Sequence, residues 1–279
     1  MSAPEILADP LASPDVRAMR GRRAFVAGGG LSGQQGSVGF ATAWLLAREG
    51  AAVVIADRDP VAAAHAAELI SDAGGTATTV VGDIRDDAEC ARLLDEAASR
   101  LGGLDAVVTT VGRGDIDGIL EVDRALWDEI IEVNLTTAWQ LVRHAAEILP
   151  AGGSIVTTSS GAAAARGPAM PYSVAKAALE QLTIGSAATL APRGIRVNAV
   201  RVGTIWSTFA ARAFSEEVRA ERAAAVALRR EGNVWDIAAA NVFLSSERAR
   251  WITGQILTVD GGGPTPPAPG HRAAPEGER

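Results

Sequence analysis

Lysine and tyrosine are almost missing from this 279-residue chain. Of its 26 Lys and Arg side chains only one, Lys176, is lysine, and Tyr172 is the single tyrosine. Cysteine is equally scarce. Cys90 stands alone, which excludes an intramolecular disulfide and points to a reducing compartment, the cytoplasm. The three histidines, His65, His144 and His271, fall in no metal-ligand spacing, so no metal is expected. No apolar run reaches the ~18 residues that span a bilayer. The opening stretch MSAPEILADPLASPDVRAMRGRR lacks the basic-then-apolar order of a secretory signal. Neither a membrane nor export is therefore expected. The net charge of −7, with no basic patch, argues against nucleic acid as a partner.

Hydrophobic residues, by contrast, make up 48% of the chain, enough for one large globular domain. Arginine stands almost everywhere that either basic residue would serve. A lysine that persists is suspect of a task arginine cannot do, because its ammonium is compact and its pKa tunable. Tyr172 and Lys176 lie four apart, in Tyr-Ser-Val-Ala-Lys. On a helix that spacing puts both on one face, one turn apart.

Short β-branched runs alternate with stretches of helical length. The runs are 24–26, 52–55, 78–81, 106–108, 154–157, 195–200 and 256–259. Their continuous apolar character suits strands buried on both faces of a parallel sheet. The alternation predicts an α/β fold: a Rossmann-type doubly wound parallel sheet of about seven strands, with helices on both faces. The ligand site then lies at the carboxyl ends of the strands, where the strand order reverses. Residues 21–263 read as one dinucleotide-binding catalytic domain, with loosely ordered tails at 1–20 and 264–279.

A glycine-rich loop from Gly28 through Gly33, Ser37 and Val38 to Gly39 separates the first strand from a run of good helix formers. Strand, glycine loop and helix N-terminus make an anion site, because backbone N–H groups and the helix dipole both face the ligand. Asp57 ends the second strand, where a carboxylate accepts from adenosine ribose hydroxyls and repels a 2′-phosphate. That favours NAD. Arg58 next to it keeps NADP as the alternative.

With these motifs in place, residues 22–263 resemble the short-chain dehydrogenase/reductase superfamily. The most specific element is Tyr172-x-x-x-Lys176 after a strand ending in Thr157-Thr158-Ser159-Ser160. Gly82-Asp83-Ile84, Asn134 in Trp127–Leu135, and Trp251–Gly262 agree in order and spacing. The chain also departs from the family's usual pattern. The glycine loop is longer by about five residues, Ser37 replaces a usual glycine, Thr109-Thr110-Val111-Gly112 replaces Asn-Asn-Ala-Gly, and Val202-Gly203 replaces Pro-Gly.

The resemblance implies hydride exchange between a nicotinamide cofactor and a secondary alcohol or ketone. Tyr172 would be the general base or acid. Lys176 would lower the phenol's ordinary pKa of ~10 and hold the nicotinamide ribose. Ser160 would polarise the substrate oxygen, with Ser159 the rival for that place, and Asn134 would position a water. Asp83 and Ile84 would meet the adenine, Val111, Gly112 and Gly203 would line the cofactor cleft, and Ile205 and Ser207 would contact the nicotinamide end. Trp206, Phe209 and Phe214, with Arg212 and Arg219 scattered among them, would form a lid over a largely apolar substrate. A homotetramer or homodimer is expected. Two other readings are an enoyl reductase of the same fold, whose Tyr and Lys are spaced more widely, and a regulatory protein that holds dinucleotide without turning it over.

Overall fold

A computed structural model describes residues 17–34, 36–115, 117–164, 169–213 and 215–263. Phe214, the side chain of Arg212, His271, and most of both expected tails lie outside the described residues.

Seven parallel strands form the central sheet, in the order β3-β2-β1-β4-β5-β6-β9. They are β1 (Arg23–Ala27), β2 (Ala52–Asp57), β3 (Thr76–Val81), β4 (Ala106–Thr109), β5 (Ser154–Ser160), β6 (Arg196–Val202) and β9 (Ile256–Val259). Each coincides with one of the apolar runs. β1 pairs with both β2 and β4, so the order reverses there. That reversal opens the crevice in which doubly wound sheets bind ligands.

Two cores sandwich the sheet. On one face α1 (Val38–Arg48), α2 (Pro60–Asp72) and α9 (Val234–Ser245) bury Phe40, Leu46, Ile70 and Ile237 against Val26, Ile55 and Val200. On the other, α3 (Asp87–Leu101), α5 (Thr137–Ile148) and α6 (Met170–Leu190) bury Leu93, Leu94, Leu141 and Leu190 against Phe25, Val107 and Ile155. Alternate residues of one strand serve opposite faces, as a pleated strand requires. Met19 is fully buried in the first core, and its amide donates to Glu49 O at 3.0 Å. The packed segment thus includes Met19, two residues before residue 21. The reason is packing: one long apolar side chain anchors a segment whose composition reads as a tail.

The helix starts follow local capping chemistry. Ser37 caps α1, its Oγ accepting from Phe40 N at 3.1 Å. Asp86 caps α3 in the same way, and Asn233 with Asp236 forms a capping box on α9. Between α4 (Arg124–Ile131) and α5 the helix widens into a π turn over Glu132–Thr136, which contains Asn134. Such turns often mark functional sites.

Two two-residue strands, β7 (Ile205–Trp206) and β8 (Gly232–Asn233), pair with each other. They tie the two ends of an excursion carrying α7 (Thr208–Ala213) and α8 (Glu216–Ala225). Two residues are too short for a periodic signal, so this small sheet was not legible as strands.

Candidate active site

The C-terminal end of β5 and the first two turns of α6 bring the expected proton-transfer groups together. Lys176 is only 3% exposed and its Nζ donates to Thr158 O at 2.8 Å. The same Nζ lies 5.7 Å from the centre of the Tyr172 ring. Burial pushes the lysine down to about 8. Burial also raises the Tyr172 phenol, and hydrogen bonding with Ser160 pulls it the other way. The relief of the phenol expected from Lys176 is thus supplied in this structure by Ser160. The ammonium is spent on a strand carbonyl and sits over the ring rather than on its oxygen.

The two candidate serines face different surroundings. Ser159 is buried and donates to Glu180 Oε1 at 2.7 Å. Glu180 in turn holds Arg201 through two hydrogen bonds, of 2.8 and 2.6 Å. Ser160 is the serine beside Tyr172. Neither Glu180 nor Arg201 was foreseen. The available signal was position: Glu180 lies one helical turn beyond Lys176, on the same face.

Asn134 faces into the cleft from the π turn. Its Nδ2 donates to Ile130 O at 3.0 Å and to Arg113 O at 2.8 Å, and its Oδ1 accepts from Arg113 N at 3.3 Å. One amide thereby bridges the widened helix and the loop after β4. A side chain on Gly112 would lie 2.9 Å from Asn134 Oδ1 and 3.5 Å from Lys176 Nζ. Glycine at that point lets the loop after β4 pack closely over both buried polar groups.

At the other end of the crevice, Gly39 packs so tightly that a Cβ there would sit 2.0 Å from Gly28 O. The first turn of α1 is thereby pressed onto the end of β1. Thr110 Oγ1 braces the same point through Ala27 O (3.1 Å) and Gly28 O (3.2 Å), and Val111 packs against Gly28. Ser37 Oγ donates to Gly30 O at 3.1 Å, folding the long loop back on itself. Asp57 receives Gly30 N on Oδ2 (2.9 Å) and Asp59 N on Oδ1 (3.1 Å). Arg58 beside it is exposed. Gly33 lies against Thr208, and Val38 opens α1 and packs against the core. The glycine cradle, the capped helix N-terminus and the oriented carboxylate fit an adenosine diphosphate moiety.

Asp83 differs from expectation. Its carboxylate is held by Arg85, Oδ2 accepting from Nε at 2.8 Å, and this bond holds it below the usual carboxylate range. Arg85 was not foreseen, and it competes for the oxygen expected to accept from adenine. Ile84 is buried. Gly203 lies against Asp260, whose Cβ a side chain would meet at 2.1 Å, so its lack of a side chain serves the turn after β9. Ile205 is buried. Ser207 is buried too, and its Oγ accepts from Ala210 N at 3.3 Å at the start of α7. In the segment expected to form a lid, the Arg219 guanidinium stacks 4.6 Å from the Trp206 ring centre and pairs with the Glu231 carboxylate. Among the described residues no group of three His, Cys, Asp or Glu could hold a metal. No helix among them is long and apolar enough to cross a membrane.

Known proteins are similar to the chain over most of its length. The family described as enoyl-(acyl carrier protein) reductase matches residues 33–263. Cis-4-hydroxycyclohexanecarboxylate dehydrogenase of Sinomonas cyclohexanicum is 39% identical over 83% of this chain and 94% of its own. The A-factor type gamma-butyrolactone 1'-reductase of Streptomyces virginiae is 36% identical over 83% of this chain and 93% of its own. A solved short-chain type dehydrogenase/reductase from Mycobacterium ulcerans superposes with a TM-score of 0.82 at 32% identity, covering 89% of this chain and 93% of its own. The chain belongs to the short-chain dehydrogenase/reductase superfamily, as an oxidoreductase that uses a nicotinamide cofactor on alcohols or ketones.

Proposed function

We propose that the chain oxidises a secondary alcohol, or reduces the matching ketone, with Tyr172 passing the proton and NAD as the preferred cofactor. The observation that carries this reading is the set on β5 and α6: Ser160 beside the Tyr172 phenol, with a buried ammonium 5.7 Å from the ring. When bound, the nicotinamide supplies the hydride acceptor or donor. Gly28, Gly33, Ser37, Val38 and Gly39 would hold its pyrophosphate, Asp57 the adenosine ribose, and Lys176 the ribose nearer the substrate.

The chain's own residues do the rest. Ser160 donates to the substrate oxygen and stabilises charge that develops there. Tyr172 takes or returns the proton on that oxygen. Lys176, fixed by Thr158 O 5.7 Å from the ring centre, would orient the cofactor, while the pull that favours phenolate comes from Ser160. Asn134 fixes the loop after β4 and offers a site for a relaying water near Lys176. The close spacing of Tyr172 and Lys176 on one helical face supports alcohol chemistry over enoyl reduction.

Asp57 supports NAD over NADP, since its carboxylate lies where a 2′-phosphate would be repelled. The Sinomonas relative acts, by its name, on a hydroxylated cyclohexane carboxylate, and we infer a substrate of that size, an alcohol on a compact apolar frame. We also infer pairing of protomers through α5 and α6, where Trp139 and Ile184 are exposed, in a homodimer or homotetramer. The single buried thiol supports a cytoplasmic site of action.

The test is spectrophotometric. The protein is mixed with NAD or NADP and a panel of secondary alcohols that includes hydroxycyclohexanecarboxylates. Reduced cofactor should accumulate, with a lower KM for NAD. Saturable NAD binding with no turnover of any alcohol or ketone would instead favour the regulatory reading.

A further inference from the structure

Two residues on opposite walls of the cleft meet above Tyr172. Phe209, the second residue of α7, lies with its ring centre 6.3 Å from that of Tyr172. Across the cleft, in the loop after β4, the Phe209 ring edge presses on Gly114. A Cβ at Gly114 would lie only 2.7 Å from Phe209 Cζ and 3.2 Å from Cε1. Gly114 does not adopt a positive φ. Its backbone therefore tolerates alanine, and the contact with Phe209 is what requires glycine there.

Phe209 is also held from behind. The preceding residue, Thr208, donates from its amide to Gly36 O at 3.0 Å and from Oγ1 to Ser32 O at 3.0 Å. A Cβ on Gly33 would meet Thr208 Cγ2 at 2.9 Å. The extra length of the glycine loop is thus used to bolt the start of α7 in place. Phe209 itself stays 46% exposed. With its ring centre 6.3 Å from that of Tyr172, it stands where a substrate approaching the phenol would meet it.

We propose that Phe209 and Gly114 form a latch over Tyr172 that sets the size of substrate admitted to the phenol, with Thr208 anchoring the latch to the glycine loop. This rests on the reading of Tyr172 as the proton-transfer group. Phe209 is a specificity-determining residue here, and Gly114 makes room for it.

Because Tyr172 is the chain's only tyrosine, the latch can be read without turnover. The full-length protein is nitrated with tetranitromethane and nitrotyrosine is followed, with Tyr172→Phe as the blank. Phe209→Ala and Gly114→Ala should each speed nitration several-fold, and the two should not add. Once Phe209 is gone, Gly114→Ala has nothing to displace and should be silent, as expected of residues in direct contact. In turnover, Phe209→Ala should shift kcat/KM toward bulkier secondary alcohols by about tenfold relative to small ones, the scale on which an apolar pocket discriminates. The dissociation constant for NAD should stay within about twofold, since apolar truncation away from the cofactor removes substrate discrimination only. Nitration and size preference unchanged in Phe209→Ala would overturn the latch, as would additive effects of the two substitutions. The nitration cycle decides the latch even if the wild-type protein oxidises no alcohol, an outcome that would sink the reaction assignment instead.

Discussion

Two serines stand side by side at the end of β5, and their neighbours separate them. Ser159 spends its hydroxyl on Glu180, whereas Ser160 acts on the Tyr172 phenol. Ser160→Ala should therefore cut kcat by about 10²–10³-fold, the cost of removing one donor to a developing oxyanion, with little change in melting temperature. Ser159→Ala should do the reverse, and steady-state kinetics beside thermal melts would tell them apart. Lys176 carries a different signature. Its pKa falls from 10.5 to about 8 on burial, so the folded state disfavours its charge. The cost is fully present below about pH 8 and fades as pH rises toward 10.5, where the unfolded chain alone still holds the proton. Wild-type stability should climb across that window. Lys176→Met should remove the slope, raise stability at pH 7 by about 1–3 kcal/mol and abolish turnover, the usual exchange of stability for function. Denaturant melts of both proteins from pH 7 to 10 measure it. Tyr172 and Lys176 stood out by scarcity, and the helix they share was legible in their spacing. Asp83 was legible as a carboxylate after β3, but its capture by Arg85 was not, because the spacing of the two says nothing about where the guanidinium turns.

At the scale of elements, β5 and α6 are clasped at three successive strand residues. Lys176 holds Thr158 O, Glu180 holds Ser159, and Ser160 meets Tyr172. The middle clasp extends to β6 through Arg201, whose guanidinium Glu180 takes in two bonds. Glu180→Ala leaves that guanidinium half-buried and unpaired. It should cost about 1–3 kcal/mol of stability, and the damage should reach kcat through the loosened strand end. Glu180→Gln should recover part of it. The seven long strands were legible because a parallel sheet writes each of them as an unbroken apolar run. The clasp was hidden, since Glu180 and Arg201 read separately as ordinary surface charges. The π turn at Asn134 was hidden too: one extra residue in a helical turn leaves the hydrophobic period almost unchanged. The two-residue strands under the lid lie below any periodic signal.

The whole molecule places its chemistry at one edge of a rigid sandwich, at the carboxyl ends of the strands. Cys90 is buried on the core face of α3 and its thiol is pushed up to about 12. It should resist alkylation at pH 8 in the native protein and react only on unfolding, so its labelling rate in a urea series reports global opening. The fold as a whole was legible because alternation of strand and helix, right-handed crossovers and one strand-order reversal leave few arrangements. The conformation of the lengthened glycine loop was less so, because its extra residues also hold Thr208 at the start of α7.

The account stands on Tyr172 as the group that moves the proton. Its most direct test is kcat for alcohol oxidation in Tyr172→Phe, with NAD affinity measured on the same preparation. The substitution removes one hydroxyl and keeps the ring against Phe209. A fall in kcat of about 10³-fold or more, with the NAD dissociation constant nearly unchanged, is predicted for the loss of a general acid–base group. Oxidation at near wild-type rate by Tyr172→Phe would contradict it.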